Sequence, residues 1–142
     1  MHTRSNSIPL LFHKICGLGK IPLVLIHGMD SSQDTFADLI CRKDINEKFR
    51  ILLIDLKGHG QSHCDPFHDY SMESHANEIE RVIETLNEFS NFHLLGHSMG
   101  GLVVAKYYDM YPHRIKSLII EDIDLSIDQV ERNKEKLREE SN

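Results

Sequence analysis

Ser98 stands between two glycines in Gly96-His97-Ser98-Met99-Gly100, and a third, Gly101, follows directly. A serine hydroxyl is a weak nucleophile until a base takes its proton and donors receive the charge its attack creates, so its surroundings decide whether the motif is chemical. Upstream, Asn91-Phe92-His93-Leu94-Leu95 has the apolar content of a strand, and residues 102–110 have that of a helix. Strand, sharp turn and helix in that order are the layout of a nucleophile elbow, which holds the serine out on a strained turn. Gly96 and Gly100 fit positions where a Cβ would collide with neighbouring backbone, and Gly101 lets the helix pack close to the strand. The turn aims the Met99 amide and the positive end of the helix at the space above Ser98, where an oxyanion would form. In a plain loop the same pentapeptide would be a turn and nothing more; the order of the elements favours the catalytic reading.

Upstream, Ile21-Pro22-Leu23-Val24-Leu25-Ile26 is a buried-strand run that ends in His27-Gly28-Met29. With the elbow, this segment resembles the α/β-hydrolase family, in which an H-G-X segment follows the strand before the first helix and the backbone N–H of X is one of two oxyanion donors. The resemblance implies Met29 and Met99 as the donors, acting through their backbones, so their apolar side chains are no objection. It implies for His27 a ring that orders the loop by hydrogen bonding, without proton transfer, and it carries His97 over as part of the elbow motif alone. A third match is Ile51-Leu52-Leu53-Ile54-Asp55-Leu56-Lys57-Gly58-His59-Gly60-Gln61-Ser62, a strand leading into the family's D-x-R-G-x-G-x-S turn with Lys57 in place of the usual arginine. The three motifs lie in family order and at family spacing, over about residues 10–125.

A Ser-His-acid triad needs a histidine to accept the Ser98 proton. In the family it lies near the C-terminus, in the order serine, acid, histidine, whereas the last histidine here is His113, at the far end of the helix after the elbow. His113 is therefore expected on the surface, and the base is expected in sequence beyond Asn142. For the acid two readings stand. The strand Ser117-Leu118-Ile119-Ile120 runs into Glu121-Asp122-Ile123-Asp124. Some small bacterial esterases of the family and their mitochondrial relatives carry V-D-I-[SA] at this place, and in some of them its aspartate is assigned as the triad acid. Asp122 matches that residue; Asp124, further along, is the poorer match. The other reading is an acidic strand end facing solvent, as at Asp55, with the acid supplied later in the chain.

The elements that must position these residues alternate as an α/β fold requires, giving a truncated, mostly parallel sheet flanked by helices. Residues 10–16 and 21–26 read as a hairpin around Gly17-Leu18-Gly19-Lys20, and residues 34–47 read as one helix with Phe36, Leu39 and Ile40 inward. Ser71 can cap a helix running to Phe89, whose inner face is Ala76, Ile79, Ile83 and Leu86 with Val82 beside it. Residues 1–125 form the partial hydrolase core, and residues 126–142 a charged helical tail, opened by the capping box Ser126-x-x-Gln129, that reads as the start of a cap. The strand over residues 116–122 reads as interior in its side chains but open along its outer edge, which predicts self-association through that edge.

With 142 residues, 40% of them hydrophobic, and no Trp, the chain can bury one core. A net charge of -6 argues against nucleic acid and anionic membranes as partners, and no apolar run spans a bilayer. The segment Ile8-Pro9-Leu10-Leu11-Phe12 is too short and interrupted for a secretory signal, so a cytoplasmic location is expected. Cys16, Cys41 and Cys64 are odd in number and lack a C-x-x-C spacing, which predicts neither disulfides nor a zinc ribbon. His59, His63, Cys64, His68 and His75 cluster in sequence, but Gly58, Gly60 and Pro66 make the segment a loop, and neither a metal nor a cofactor is expected. The expected function is a serine hydrolase acting on a small ester or similar acyl substrate. The alternative is a truncated or degenerate product without turnover, limited to binding. Carbon–carbon bond hydrolysis, haloperoxidation and acyl transfer are also open on this scaffold, whereas a dehalogenase would need aspartate where Ser98 stands.

Overall fold

The computed structural model describes residues 8–121. Five strands form one sheet: β1 (His13–Cys16), β2 (Ile21–Ile26), β3 (Phe49–Ile54), β4 (Phe92–His97) and β5 (Ile115–Glu121). Four helices join them, α1 (Ala37–Ile40), α2 (Lys43–Lys48), α3 (Met72–Ile83) and α4 (Gly100–Met110), with 3₁₀ turns at Gln33–Phe36, Asn87–Phe89 and Pro112–Arg114. The strand order is β1-β3-β2-β4-β5, with β1 antiparallel to β3 and all other pairs parallel.

That order corrects the hairpin expected between the first two strands. β1 pairs with β3, His13 opposite Ile54 and Cys16 opposite Ile51, so β3 lies between β1 and β2. Residues 17–20 therefore cross the foot of β3 instead of making a tight turn. The Leu18 amide donates to the Asn46 carbonyl at 2.7 Å and the Gly19 amide to Phe49 at 3.2 Å. Gly17 sits at φ +89°, and a Cβ there would lie 2.1 Å from the Phe49 carbonyl oxygen, a crossing only glycine permits. The single helix expected over residues 34–47 is likewise broken. Arg42 is extended (φ −69°, ψ 130°), its guanidinium bonds Asp44 at 2.9 Å, and Asp44 accepts the Ile45 amide, so a fresh helix starts. The helix capped by Ser71 ends at Ile83 rather than Phe89, and the following turn carries Phe89 into the core.

Alternation along the buried strands sends one set of side chains to each face. Val24, Ile26, Leu52, Ile54, Phe92 and Leu94 meet Ala76, Ile79, Val82 and Ile83 of α3 and Val103, Val104 and Tyr107 of α4. Leu23, Leu25, Ile51 and Leu53 face the other way, onto Phe36, Leu39, Ile40 and Ile45. Full burial of each such side chain contributes about 1.5–3 kcal/mol, which is what fixes the strands' register and with it the loops at their carboxyl ends. In β5, Leu118 and Ile120 pack on the larger cluster, but Ile119 is 44% exposed and is not the core residue its apolar run implies.

The connection after β2 runs to one side, toward β3, and the connection after β4 to the other, toward β5. The carboxyl ends of β2 and β4 thus flank the point where the winding reverses, where open α/β sheets form a crevice. His27-Gly28-Met29 leaves β2 there, and Ser98 leaves β4.

Candidate active site

β4 ends at His97 and α4 begins at Gly100, so the turn between them is two residues long. Ser98 takes φ +55°, a left-handed conformation that is uncommon for a residue with a side chain. Its neighbours hold it there. A Cβ on Gly96 would lie 2.4 Å from the Gly100 carbonyl oxygen and 2.6 Å from the Val104 side chain, and one on Gly100 would lie 2.3 Å from the His27 carbonyl oxygen. The Ser98 amide donates to the Glu121 carbonyl at 2.7 Å, extending the β4–β5 ladder into the turn, and the Ser98 carbonyl accepts the Gly101 amide at 2.8 Å. No side chain caps α4, because Met99 occupies its N-cap position. The Gly101 and Leu102 amides bond back to the Ser98 and Met99 carbonyls, so of the first N–H groups those of Met99 and Gly100 are left without a partner among the described residues.

The loop after β2 meets this turn face to face. A Cβ on Gly28 would approach the Ser98 Cβ to 3.3 Å and the Met99 nitrogen to 3.7 Å, so glycine lets the Met29 backbone come alongside the elbow. His27, fully buried, ties the loop down. Its Nδ1–H donates to the Gly28 carbonyl at 2.6 Å, and its Nε2 accepts the Leu56 amide at 2.9 Å. The Leu56 donor fixes that tautomer, and burial lowers the pKa of the ring, so both nitrogens are occupied and the imidazole stays neutral.

Asp55 corrects the expectation of an exposed strand end. It is 2% exposed, accepts the Gln33 amide on Oδ1 at 2.8 Å and the Gln61 amide on Oδ2 at 3.0 Å, and so joins the loop after β2 to the loop after β3. A Cβ on Gly60 would lie 2.3 Å from Oδ2, which accounts for the glycine. Ser62 closes the same turn, receiving the Phe12 amide at 2.8 Å.

Lys57 was legible only as an exception to a pattern. In the fold it is 1% exposed, with Nζ 2.6 Å from Asp65 Oδ2, a second bond to Ser74 Oγ, and the Tyr70 ring centroid at 5.7 Å. Tyr70 in turn accepts the Asp65 amide at 2.9 Å. Buried lysines require such a partner set. The signal was the acid eight residues on, followed by a helix whose first turn carries a serine. Next to this group His75 is 1% exposed with Nδ1 unpartnered, and burial together with Lys57 lowers its pKa to about 3.

The remaining candidates separate. His97 has Nε2 3.8 Å from Glu121 Oε1. His113 is exposed beside the foot of α4, away from Ser98, with its carbonyl bonded by Asn91 at 2.8 Å. His59 bonds the Lys57 carbonyl through Nδ1 at 3.0 Å, its ring 5.1 Å from that of His27, and among the described residues no three His, Cys, Asp or Glu side chains group as a metal cage. No helix of the described residues is long and apolar enough to cross a membrane. Asp122, Asp124 and the tail over residues 126–142 lie outside the described residues. Beside Met29 opens a cleft of about 680 Å³ whose wall includes Asp30, Ser31, His59, Cys64 and Tyr70.

Comparison with known proteins bears on the fold that carries these residues. A family model described as alpha/beta hydrolase fold matches residues 21–138. Protein phosphatase methylesterase 1 of Candida albicans is 39% identical over 104 residues, covering 68% of this chain and 27% of that protein. Lipase 3 of a Moraxella species is 34% identical over 101 residues, covering 71% of this chain and 31% of the lipase. The solved structure of a marine microorganism esterase superposes with a TM-score of 0.74 at 28% identity, over 89% of this chain and 48% of that one. The chain thus spans about a third or less of the length of these two curated relatives.

Proposed function

The chain belongs to the α/β-hydrolase family, and on that premise we propose that it is the nucleophile-bearing part of a serine hydrolase acting on a small ester or related acyl substrate. The observation that carries this reading is Ser98, held at φ +55° on a two-residue turn against Gly28. Ser98 Oγ attacks the substrate carbonyl carbon and passes its proton to a base. The oxyanion accepts hydrogen bonds from the Met29 and Met99 amides, the alcohol leaves with the proton from the base, and water hydrolyses the acyl-serine in the second half of the cycle. Relatives whose names state a methylesterase and a lipase support ester chemistry. His27 is not the base, because its nitrogens are committed to Gly28 and Leu56. We assign the base to a histidine outside these 142 residues and the orienting acid to Asp122, which follows the Glu121 carbonyl bound by the Ser98 amide.

Chemical rescue tests this. Without its base the chain should turn over p-nitrophenyl acetate feebly, since removal of a triad histidine costs on the order of 10⁶ in kcat. Added imidazole can accept the proton instead, and peptide mass spectrometry should then find acetyl on Ser98, formed faster as imidazole rises. Acetylation confined to other residues, at a rate unchanged by Ser98→Ala, would refute the proposal.

A further inference from the structure

The cleft beside Met29 has one acidic side chain on its wall, Asp30, and neither lysine nor arginine. Among the described residues, the cations flanking the loop over residues 63–70 have acidic partners. Lys57 is buried against Asp65 at 2.6 Å, and Arg81 meets Glu78 at 2.9 Å. On the far side of the loop over residues 63–70 a second cleft, of about 520 Å³, adds Asp69 and Glu73 to its wall. Asp69 is held ionised, because hydrogen bonds from Ser71 keep its carboxyl below the usual range. Among the described residues, the negative charges of Asp30, Asp69 and Glu73 remain in the walls of these two clefts. The rest of the first cleft's wall includes Met29, Tyr70 and Cys64, surfaces that suit an apolar or polarisable group, beside Ser31 and His59.

Resting on the hydrolase reading of Ser98, we propose that this site takes acyl compounds whose cleft-bound portion is neutral or carries an ammonium group, disfavours those carrying a carboxylate or phosphate, and owes the preference chiefly to Asp30. Charge selection of this kind acts through the field of the cleft rather than through one contact, and it weakens with salt. A unit charge about 7 Å from an exposed carboxylate changes affinity about threefold in water, so probes of opposite charge should differ about five- to tenfold at low ionic strength.

Binding can be read without turnover. The chain has five methionines, and with their methyl carbons labelled, Met29 reports the cleft and Met110, at the far end of α4, serves as a distant reference. Benzyltrimethylammonium and benzoate, titrated separately at low salt, are matched probes in size. The ammonium is expected to shift the Met29 methyl at several-fold lower concentration than benzoate, and Asp30→Asn should bring the two within about twofold, as should about 0.5 M salt. Benzoate binding as well as the ammonium, a difference unaltered by Asp30→Asn, or no Met29 shift with either probe would overturn the inference. Loss of Ser98 acetylation with the charge order intact would instead remove the hydrolase reading and leave the preference of the cleft standing.

Discussion

His27 and His75 are both buried and neutral, but for different reasons that a titration separates. His27 bridges Gly28 and Leu56, whereas His75 leaves Nδ1 unpartnered beside Lys57. Replacing His27 by Ala strands the Leu56 amide in the interior and opens a cavity next to the elbow, so a loss of about 2–4 kcal/mol is expected in urea unfolding. His75 has its effect through pH. Its pKa is about 3 in the fold against an ordinary 6.5, so below pH 6.5 the unfolded chain binds a proton that the folded chain refuses. Stability contributed by the neutral ring is complete above about pH 6.5 and is lost as pH falls toward 3, by up to a few kcal/mol. His27, also lowered, adds in the same direction. Asp65 and Asp69, held below their ordinary values, add their own loss only nearer the bottom of that range. His75→Phe should therefore flatten the fall in urea midpoint between about pH 6 and pH 4.5. An unchanged slope would mean that His75 is not held neutral by the fold.

Between elements, the strongest polar tie lies away from the elbow. Glu80 of α3 accepts the Tyr107 hydroxyl of α4 at 2.7 Å and the Arg114 guanidinium at 2.9 Å, so one carboxylate joins both helices to the turn that leads into β5. Burial and the neighbouring carboxylate both raise the Tyr107 pKa, as expected for a hydroxyl that serves only as a donor. Tyr107→Phe removes one bond and should cost about 1–1.5 kcal/mol, whereas Glu80→Leu leaves the Tyr107 hydroxyl unpaired and Arg114 with only the Ser90 carbonyl, and should cost about 3–5 kcal/mol. A urea-unfolding double-mutant cycle should find the pair coupled by about the worth of one buried hydrogen bond; additive losses would show that Tyr107 and Glu80 act independently. The contrast also marks how far a sequence can be read. The inner face of α3 and the alternation of β2, β3 and β4 follow from spacing along the chain, and so does Gly96, which meets its near neighbours Gly100 and Val104, whereas Gly100 answers to the distant His27 carbonyl and is legible only through the motif. Glu80 carries no such local signal, since its partners come 27 and 34 residues later. The pairing of β1 with β3 was hidden for the same reason, a local turn being the simpler expectation than a crossing over Phe49. Asp55 reads as a strand end facing solvent because the amides that bury it, of Gln33 and Gln61, belong to two other loops.

At the scale of the whole molecule, the sheet has two ends of different character. β1 is a short antiparallel strand of four residues, whereas β5 runs for seven and has no strand partner on its outer edge among the described residues. Its inner edge is held by β4 along the register from Phe92–Ile115 to His97–Glu121. The outer N–H and C=O groups are a template for another strand; no proline interrupts them, and the register irregularity of β5, the extra residue Lys116, lies at its start, away from residues 118–120. A second copy presenting the same edge can pair antiparallel with it, with Ile119, 44% exposed, meeting Ile119 of the other copy across the axis and Leu118 opposite Ile120. Because Ile119 projects partly into solvent, a charge can be placed there without opening the core. The purified chain is therefore expected to elute from a sizing column earlier as its concentration rises. Ile119→Lys should shift it toward the monomer through repulsion between the paired lysines, while leaving its urea midpoint nearly unchanged. Hydrogen exchange separates a covered edge from a free one: amides of residues 115–121 that point outward should gain protection with concentration in the parent chain and not in the variant. A chain that stays monomeric at every concentration, with those amides already protected when dilute, would show that something other than a second copy covers β5.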